Sequence, residues 1–173
     1  MEFKFETYND HASLTAVAKA IRKIYRRRSS FVTRLILLIA VIGGTYLSVA
    51  SAQKGNDIGF NSLICYIMLL LGFVAALWED GVNGFLAQMR IPASSKDVEA
   101  TFDDEHYVIE TELARTSWQY QSITHLAETK YFFVFIFNQN HAQVFDKEYL
   151  EGGTEEEFKD FIFHKTGKTF QKV

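Results

Sequence analysis

Two long stretches without a charged residue dominate the pattern of hydrophobic and polar positions along the chain. The first covers 19 residues, 35–53, and the second covers 21 residues, 58–78. As helices, both are about 30 Å long, which matches the hydrocarbon core of a bilayer. A soluble helix of this length nearly always carries a polar stripe, and neither stretch has one. The pattern therefore predicts a hairpin of two transmembrane helices, with spans at about 35–53 and 58–78.

A short strand is predicted at the N-terminus. Phe3 and Phe5 alternate with charged residues, which is the period of a half-buried strand. A lone strand of this length is not stable, so it needs the edge of a sheet to join. We expect residues 2–7 to pair with a sheet formed after the hairpin.

A basic amphipathic helix is predicted between this strand and the first span. Leu14, Val17 and Ile21 repeat at helical spacing, and basic residues lie between and after them. Together with the arginine that precedes the first span, they form a candidate membrane-surface basic cluster, composed of Arg22, Lys23, Arg26, Arg27, Arg28 and Arg34.

Two interpretations of this basic cluster are compatible. It is a topology signal on a solvated helix face, because an excess of Lys and Arg marks the cytoplasmic side of a span. It is also a surface for anionic lipids, where each basic residue contributes about 1 kcal/mol. Nucleic-acid binding is not expected, because the rest of the chain offers no basic recognition surface.

The residues after the second span change from an apolar to a β-type pattern. Residues 79–97 contain Gly81, Gly84 and Pro92 and are predicted to form a juxtamembrane linker, or a helical continuation of the second span that breaks before Pro92. Residues 98–173 are predicted to form one folded domain, since short apolar runs alternate there with turn signals. The predicted strands are Val98–Phe102, His106–Glu112, Arg115–Gln119, Ile123–Thr129, Tyr131–Asn138 and His141–Phe145.

The chain ends in a predicted amphipathic helix. Thr154 and Glu157 have the spacing of a capping box, and Gly167 is placed to end the helix. Phe158, Phe161 and Ile162 form its apolar face. The predicted fold class is thus a membrane helical hairpin plus an α+β domain, an antiparallel sandwich or barrel capped by one C-terminal helix, which is the outline of a pleckstrin-homology-like domain.

Charge is distributed unevenly and chemical motifs are scarce. Residues 1–34 carry a net charge of +5, residues 35–78 carry 0, and residues 79–173 carry −8. One cysteine excludes a disulfide within the chain, and the five histidines lack partners at metal-ligand spacing. No phosphate loop or hydrolase motif is present. We therefore expect no catalytic residues, no cofactor and no metal.

Several segments resemble the YcxB-like family of small bacterial membrane proteins. They are TFDDEHYVIETE at 101–112, SWQYQSITHLAE at 117–128, the Phe-rich strand that follows, VFDKEYL at 144–150 and EEEF at 155–158. The resemblance extends over most of the chain, including the N-terminal strand. It implies two spans and a cytoplasmic pleckstrin-homology-like tail, but no catalytic motif. Lys147 fits a Pro-Lys pair that is usual in the family, whereas Asp146 replaces the proline.

These observations predict a multi-pass protein of the cell membrane with both termini in the cytoplasm. Its expected role is binding or regulation without catalysis, through an acidic domain that recruits a basic partner protein. A self-protection (immunity) protein against a bacteriocin or secreted toxin is the alternative, and a membrane enzyme is disfavoured by the missing motifs. Anionic lipids and a homo-oligomer are further expected partners.

Overall fold

The computed structural model describes residues 2–53, 60–92, 94 and 96–173. They divide into two compact units: a sheet unit, formed by residues 1–25 and 80–173, and a helical unit, formed by residues 26–79. The tip of the predicted hairpin and the first two residues of the second predicted span lie outside the described residues.

Nine strands and five α-helices are present in the described residues. The helices are α1 (His11–Ile21), α2 (Arg27–Gln53), α3 (Phe60–Leu77), α4 (Glu79–Gln88) and α5 (Glu155–Thr166). A π-helical segment, Arg22–Arg26, joins α1 to α2. The strands are β1 (Phe3–Tyr8), β2 (Asp97–Phe102), β3 (Tyr107–Glu110), β4 (Arg115–Trp118), β5 (His125–Glu128), β6 (Phe132–Asn138), β7 (His141–Asp146), β8 (Leu150–Glu151) and β9 (Phe170–Lys172).

The sheet unit contains two sheets. One has the strand order β4-β3-β2-β1-β8, and the other has the order β7-β6-β5-β9. All pairs are antiparallel except β5 with β9. The predicted α+β class with a C-terminal helix is therefore present, and the parallel pair makes the second sheet mixed. Strand β9 was not predicted, because three residues are too few to give a clear period.

The predicted pairing of the N-terminal strand is confirmed. Strand β1 pairs with β2 over its whole length, from Phe3 opposite Phe102 to Tyr8 opposite Asp97. Its other edge pairs with β8 at Lys4 and Phe5. The strand therefore lies inside the first sheet rather than at its edge.

The main core lies between the two sheets and is rich in aromatic side chains. Strand β6 is buried on both faces, as its continuous apolar sequence predicts. Phe133 and Phe135 point into the main core, whereas Val134 and Ile136 join a second cluster that includes Ala16 and Ala20 of α1. Helix α1 therefore covers the outer face of the second sheet.

Helix α5 closes the main core. Its capping box between Thr154 and Glu157 is present, and Gly167 ends it with a φ of 68°. Phe158 and Ile162 are fully buried, as predicted. Phe161 is only partly buried at the border of the core, because it lies at the edge of the helix face that Phe158 centres.

The predicted linker contains a helix. Helix α4 covers Glu79–Gln88 and approaches α1 so closely that a Cβ at Gly84 would lie 2.3 Å from Oγ1 of Thr15. Only glycine allows this contact without a shift of backbone or side chain. The helical continuation before Pro92 is therefore present, and Gly84 is a packing residue within it.

The helical unit contains α2 and α3, which contact each other. Thr45 Oγ1 and the Tyr66 hydroxyl lie 2.7 Å apart, and the Tyr66 ring faces Gly44. Within the described residues, one helix, His11–Gln53, is long and apolar enough to cross a membrane, with a mean hydropathy of 2.1 in its most apolar window. The bent pair Ser62–Leu77 and Glu79–Gln88 is a second candidate if the pair counts as one span.

Candidate functional site

Two acidic residues, one in each unit, form ion pairs with three of the six members of the predicted basic cluster. In the sheet unit, Arg22 donates from Nε and Nη2 to the two carboxylate oxygens of Asp80, both at 2.6 Å. The side chains of Arg22 and Asp80 are only 14% and 18% exposed. A bidentate, partly buried pair of this kind is both strong and geometrically specific.

In the helical unit, Glu79 is the acidic partner of two further arginines. Its carboxylate lies 3.9 Å from Nη2 of Arg26 and 3.6 Å from Nη2 of Arg34. Ser30 Oγ donates a hydrogen bond to the same carboxylate at 3.1 Å. Arg34 also donates from Nε to the carbonyl oxygen of Ala76 at 2.9 Å.

The other three members of the basic cluster are placed differently. Lys23 in the sheet unit and Arg27 and Arg28 in the helical unit are exposed. Within the part of the chain that the structure describes, none of the three forms an ion pair. The sequence signal for this division was the acidic pair directly after the second apolar stretch, which carries little weight in topology rules.

A second polar site, not found by sequence reasoning, surrounds Glu128 at the end of β5. The Glu128 residue is 7% exposed. Its Oε2 lies 3.5 Å from Nζ of both Lys147 and Lys159 and has no hydrogen-bond partner in the described structure, and its Oε1 lies 4.0 Å from Nζ of Lys172. We call these four residues the Glu128 hub. It adjoins a polar cavity of about 340 Å³.

Lys147 ties the hub to the start of α5. Its Nζ donates to Glu155 at 2.8 Å and lies 4.5 Å from the centre of the Phe133 ring. The lysine is thus held by a salt bridge and by a cation–π contact. No sequence spacing predicts the hub, because its members come from β5, the turn after β7, α5 and β9.

An apolar cleft of about 280 Å³ lies beside Trp118. Trp118 is partly buried and packs against Phe137 and His141, with ring centres 4.8 and 5.1 Å away. Trp118 therefore packs at the border of the main core. Leu14 and Val17 of α1 also line the cleft, so it lies within the sheet unit.

Two buried tyrosines near the cleft act as hydrogen-bond donors. The Tyr107 hydroxyl donates to Oε1 of Gln143 and the Tyr120 hydroxyl donates to the carbonyl oxygen of Asp103, both at 2.6 Å. Burial raises the pKa of both phenols well above the ordinary value. Both hydroxyls therefore stay protonated. Tyr107 links β3 to β7, and Tyr120 links the residues after β4 to the turn between β2 and β3.

Metal-ligating side chains are dispersed. Among the described residues, no group of three or more His, Cys, Asp or Glu is placed to hold a metal ion. The arrangements that remain are charged surfaces and an apolar cleft, which are suited to binding.

Comparison with known protein families finds a match for the central part of the sheet unit. Residues 102–162 match the family model described as YcxB-like protein. This part of the chain is therefore similar to the YcxB-like family. This confirms the family named from the sequence, although the match is shorter than the resemblance, which extended to the N-terminal strand. No curated protein and no solved structure matches the chain.

The YcxB-like match contains most of the Glu128 hub. Glu128, Lys147 and Lys159 lie within the matched range, as does Trp118, whereas Lys172 and all six members of the basic cluster lie outside it. The two polar sites therefore belong to different parts of the chain.

Proposed function

We propose that the protein is a membrane-anchored binding protein whose YcxB-like domain acts in the cytoplasm without catalysis. The proposal includes two membrane spans, both termini on the cytoplasmic side, and a pleckstrin-homology-like arrangement of the sheet unit. Its partners are anionic lipids at the basic helix and a protein with a basic surface.

The pairing of β1 with β2 carries the proposal. These strands precede and follow the apolar segment, residues 35–78, yet they are neighbours in one sheet with six residue pairs in register. A folded sheet lies on one side of a membrane, because its polar backbone edges cannot cross hydrocarbon. A membrane-crossing segment between the two strands therefore crosses an even number of times, and the two proposed spans meet this condition.

The distribution of Lys and Arg supports a cytoplasmic location of the sheet unit. Seven Lys and Arg residues lie between residues 19 and 34, directly before the first apolar stretch. The positive-inside rule then places the N-terminal strand in the cytoplasm, and the paired sheet must be there too. The net charge of −8 over residues 79–173 favours a basic partner.

Cysteine labelling in intact cells tests the anchoring and the topology. The variant Cys65→Ala removes the native thiol, after which Gln53→Cys and Gln139→Cys are introduced singly at exposed positions, at the end of α2 and in the β6–β7 turn. A membrane-impermeant maleimide should label the first variant directly and the second only after permeabilisation. Labelling of Gln139→Cys in intact cells would contradict the proposal.

Chemical cross-linking of the full chain in mild detergent tests the binding role. A protein partner held by charge complementarity should be captured at low ionic strength and lost at high ionic strength, since salt screens exposed charges. Capture that does not depend on salt would contradict a basic partner.

A further inference from the structure

Two arginines at the start of α2 differ from their basic neighbours. Arg27 and Arg28 are exposed, and neither has an ion pair or a side-chain hydrogen bond within the described residues. Arg26 and Arg34 both lie near the carboxylate of Glu79, at 3.9 and 3.6 Å. One acidic residue thus partly compensates two of the four arginines of the helical unit.

Helical spacing explains this division. Arg26, Ser30 and Arg34 follow one another at intervals of four residues, so they form one stripe along the helix. Glu79 meets this stripe through all three side chains. Arg27 and Arg28 project from other directions around the helix, where Glu79 does not reach.

Arg34 has a second structural task. Its Nε donates to the carbonyl oxygen of Ala76, in the last turn of α3. Carbonyl groups in the last turn of a helix lack an intrahelical partner, so this bond acts as a cap. Arg34 is therefore committed to holding α2 and α3 together at the ends of the two apolar stretches.

Depth along the helix further separates Arg34 from Arg27 and Arg28. Arg34 directly precedes the first uncharged stretch and would lie at the border of the hydrocarbon. Arg28 and Arg27 come six and seven residues earlier, which is about 10 Å along the axis. A headgroup layer is about 5–8 Å thick on each side of the hydrocarbon, so the backbone of these two residues lies just outside it. Their long, flexible side chains can reach lipid phosphates from there.

We infer that Arg27 and Arg28 bind the phosphates of anionic phospholipid headgroups, whereas Glu79 keeps Arg26 and Arg34 out of this site. The inference rests on the proposed membrane anchoring and assigns the anionic lipid to two specific residues. Arginine suits this task because its planar fork of N–H donors matches the oxygens of a phosphate group.

Lipid enrichment around the full-length protein tests the inference. The protein is reconstituted into nanodiscs of equal parts phosphatidylcholine and phosphatidylglycerol, and the ratio of the two lipids retained on the protein is measured by native mass spectrometry. Arg27→Gln and Arg28→Gln should each lower the phosphatidylglycerol enrichment, by up to about fivefold. Arg26→Gln serves as the matched control, and it should change the ratio little.

The variant Glu79→Gln tests the second half of the inference. Loss of this carboxylate frees Arg26, so phosphatidylglycerol enrichment should rise above that of the wild type. Equal enrichment in the wild type and in Arg27→Gln/Arg28→Gln would overturn the inference, as would an equal loss in Arg26→Gln. Insertion into pure phosphatidylcholine nanodiscs distinguishes failure of the proposed anchoring from failure of the proposed lipid site. A protein that does not insert refutes the anchoring. A protein that inserts but shows no preference for phosphatidylglycerol in the mixed nanodiscs refutes only the arginine site.

Discussion

Phe5 lies directly opposite Ala100 in the β1–β2 ladder, although the whole apolar segment separates them in the sequence. Both residues are almost fully buried in the main core. The N-terminal strand is therefore an integral part of the sheet unit rather than a free basic arm. The strands that precede and follow the apolar segment are therefore held together in one sheet.

Amide exchange provides a direct test of this relationship. Lys4 and Phe5 lie between β2 and β8, so their backbone amides should be protected to the same degree as those of β2. Leu113, exposed in the β3–β4 turn, is the internal reference for fast exchange. Exchange of the Lys4 and Phe5 amides at the rate of Leu113, measured on the full chain in detergent, would show that β1 detaches.

A second prediction concerns the helix that closes the core. The Phe158 ring lies 4.8–5.3 Å from the ring centres of Phe3, Phe5, Phe102 and Phe133. Phe158→Ala should lower the free energy of unfolding by about 3–5 kcal/mol, because it leaves a cavity among these rings. Urea unfolding followed by Trp118 fluorescence, in a Trp78→Phe background, measures the change.

The control for this prediction is Phe163→Ala on the same helix. Phe163 is 46% exposed, so its loss should cost less than about 1 kcal/mol. Phe161→Ala should fall between the two variants, since Phe161 is partly buried. Equal unfolding midpoints for Phe158→Ala and Phe163→Ala would contradict the role of α5 as the closing helix.

Much of the fold follows from local sequence patterns. Alternation marks β1, the capping box marks the start of α5, and the continuous apolar run of β6 indicates burial on both faces. Each of these signals involves residues that are close in sequence. Even the partner of β1 was predictable, because only one sheet was available to accept it.

The charged sites could not be predicted in the same way. The Glu128 hub joins side chains from four separate elements, so its geometry depends on the complete tertiary structure. The division of the basic cluster depends on Glu79 and Asp80, whose partners lie across a long apolar segment. The packing role of Gly84 could not be predicted for the same reason, since its contact with Thr15 is also distant in sequence.

A third prediction concerns the Glu128 hub. Replacing Glu128 by Gln leaves Lys147, whose side chain is only 10% exposed, with Glu155 as its remaining ion-pair partner. We expect the free energy of unfolding to fall by up to about 3 kcal/mol, because a largely buried lysine loses one of its two acidic partners. Glu156→Gln, at an 80% exposed side chain, is the control and should change little.

A double variant separates charge from packing at the hub. If charge compensation dominates, Glu128→Gln combined with Lys147→Met should be more stable than Glu128→Gln alone, because the buried lysine that has lost one partner is removed. Strictly additive losses in the urea unfolding measurement would mean that the two side chains do not act on each other.

The last prediction concerns like charges that face each other on the first sheet. Glu99 lies directly between Glu6 of β1 and Glu110 of β3, and all three side chains are exposed. Glu110 already pairs with Arg115 at 2.9 Å, whereas Glu99 has carboxylates on both sides. Like charges directly opposite each other destabilise a sheet, so Glu99→Lys should raise the free energy of unfolding by about 0.5–1 kcal/mol.

Salt and a charge-matched control decide whether this gain is local. Glu112→Lys changes the net charge of the sheet unit equally but lies outside the strands, so it should leave the unfolding midpoint nearly unchanged. The gain from Glu99→Lys should shrink at high ionic strength, because exposed pairs are screened. Equal gains in both variants would attribute the effect to net charge, and a gain that persists at high salt would attribute it to side-chain packing on the strand.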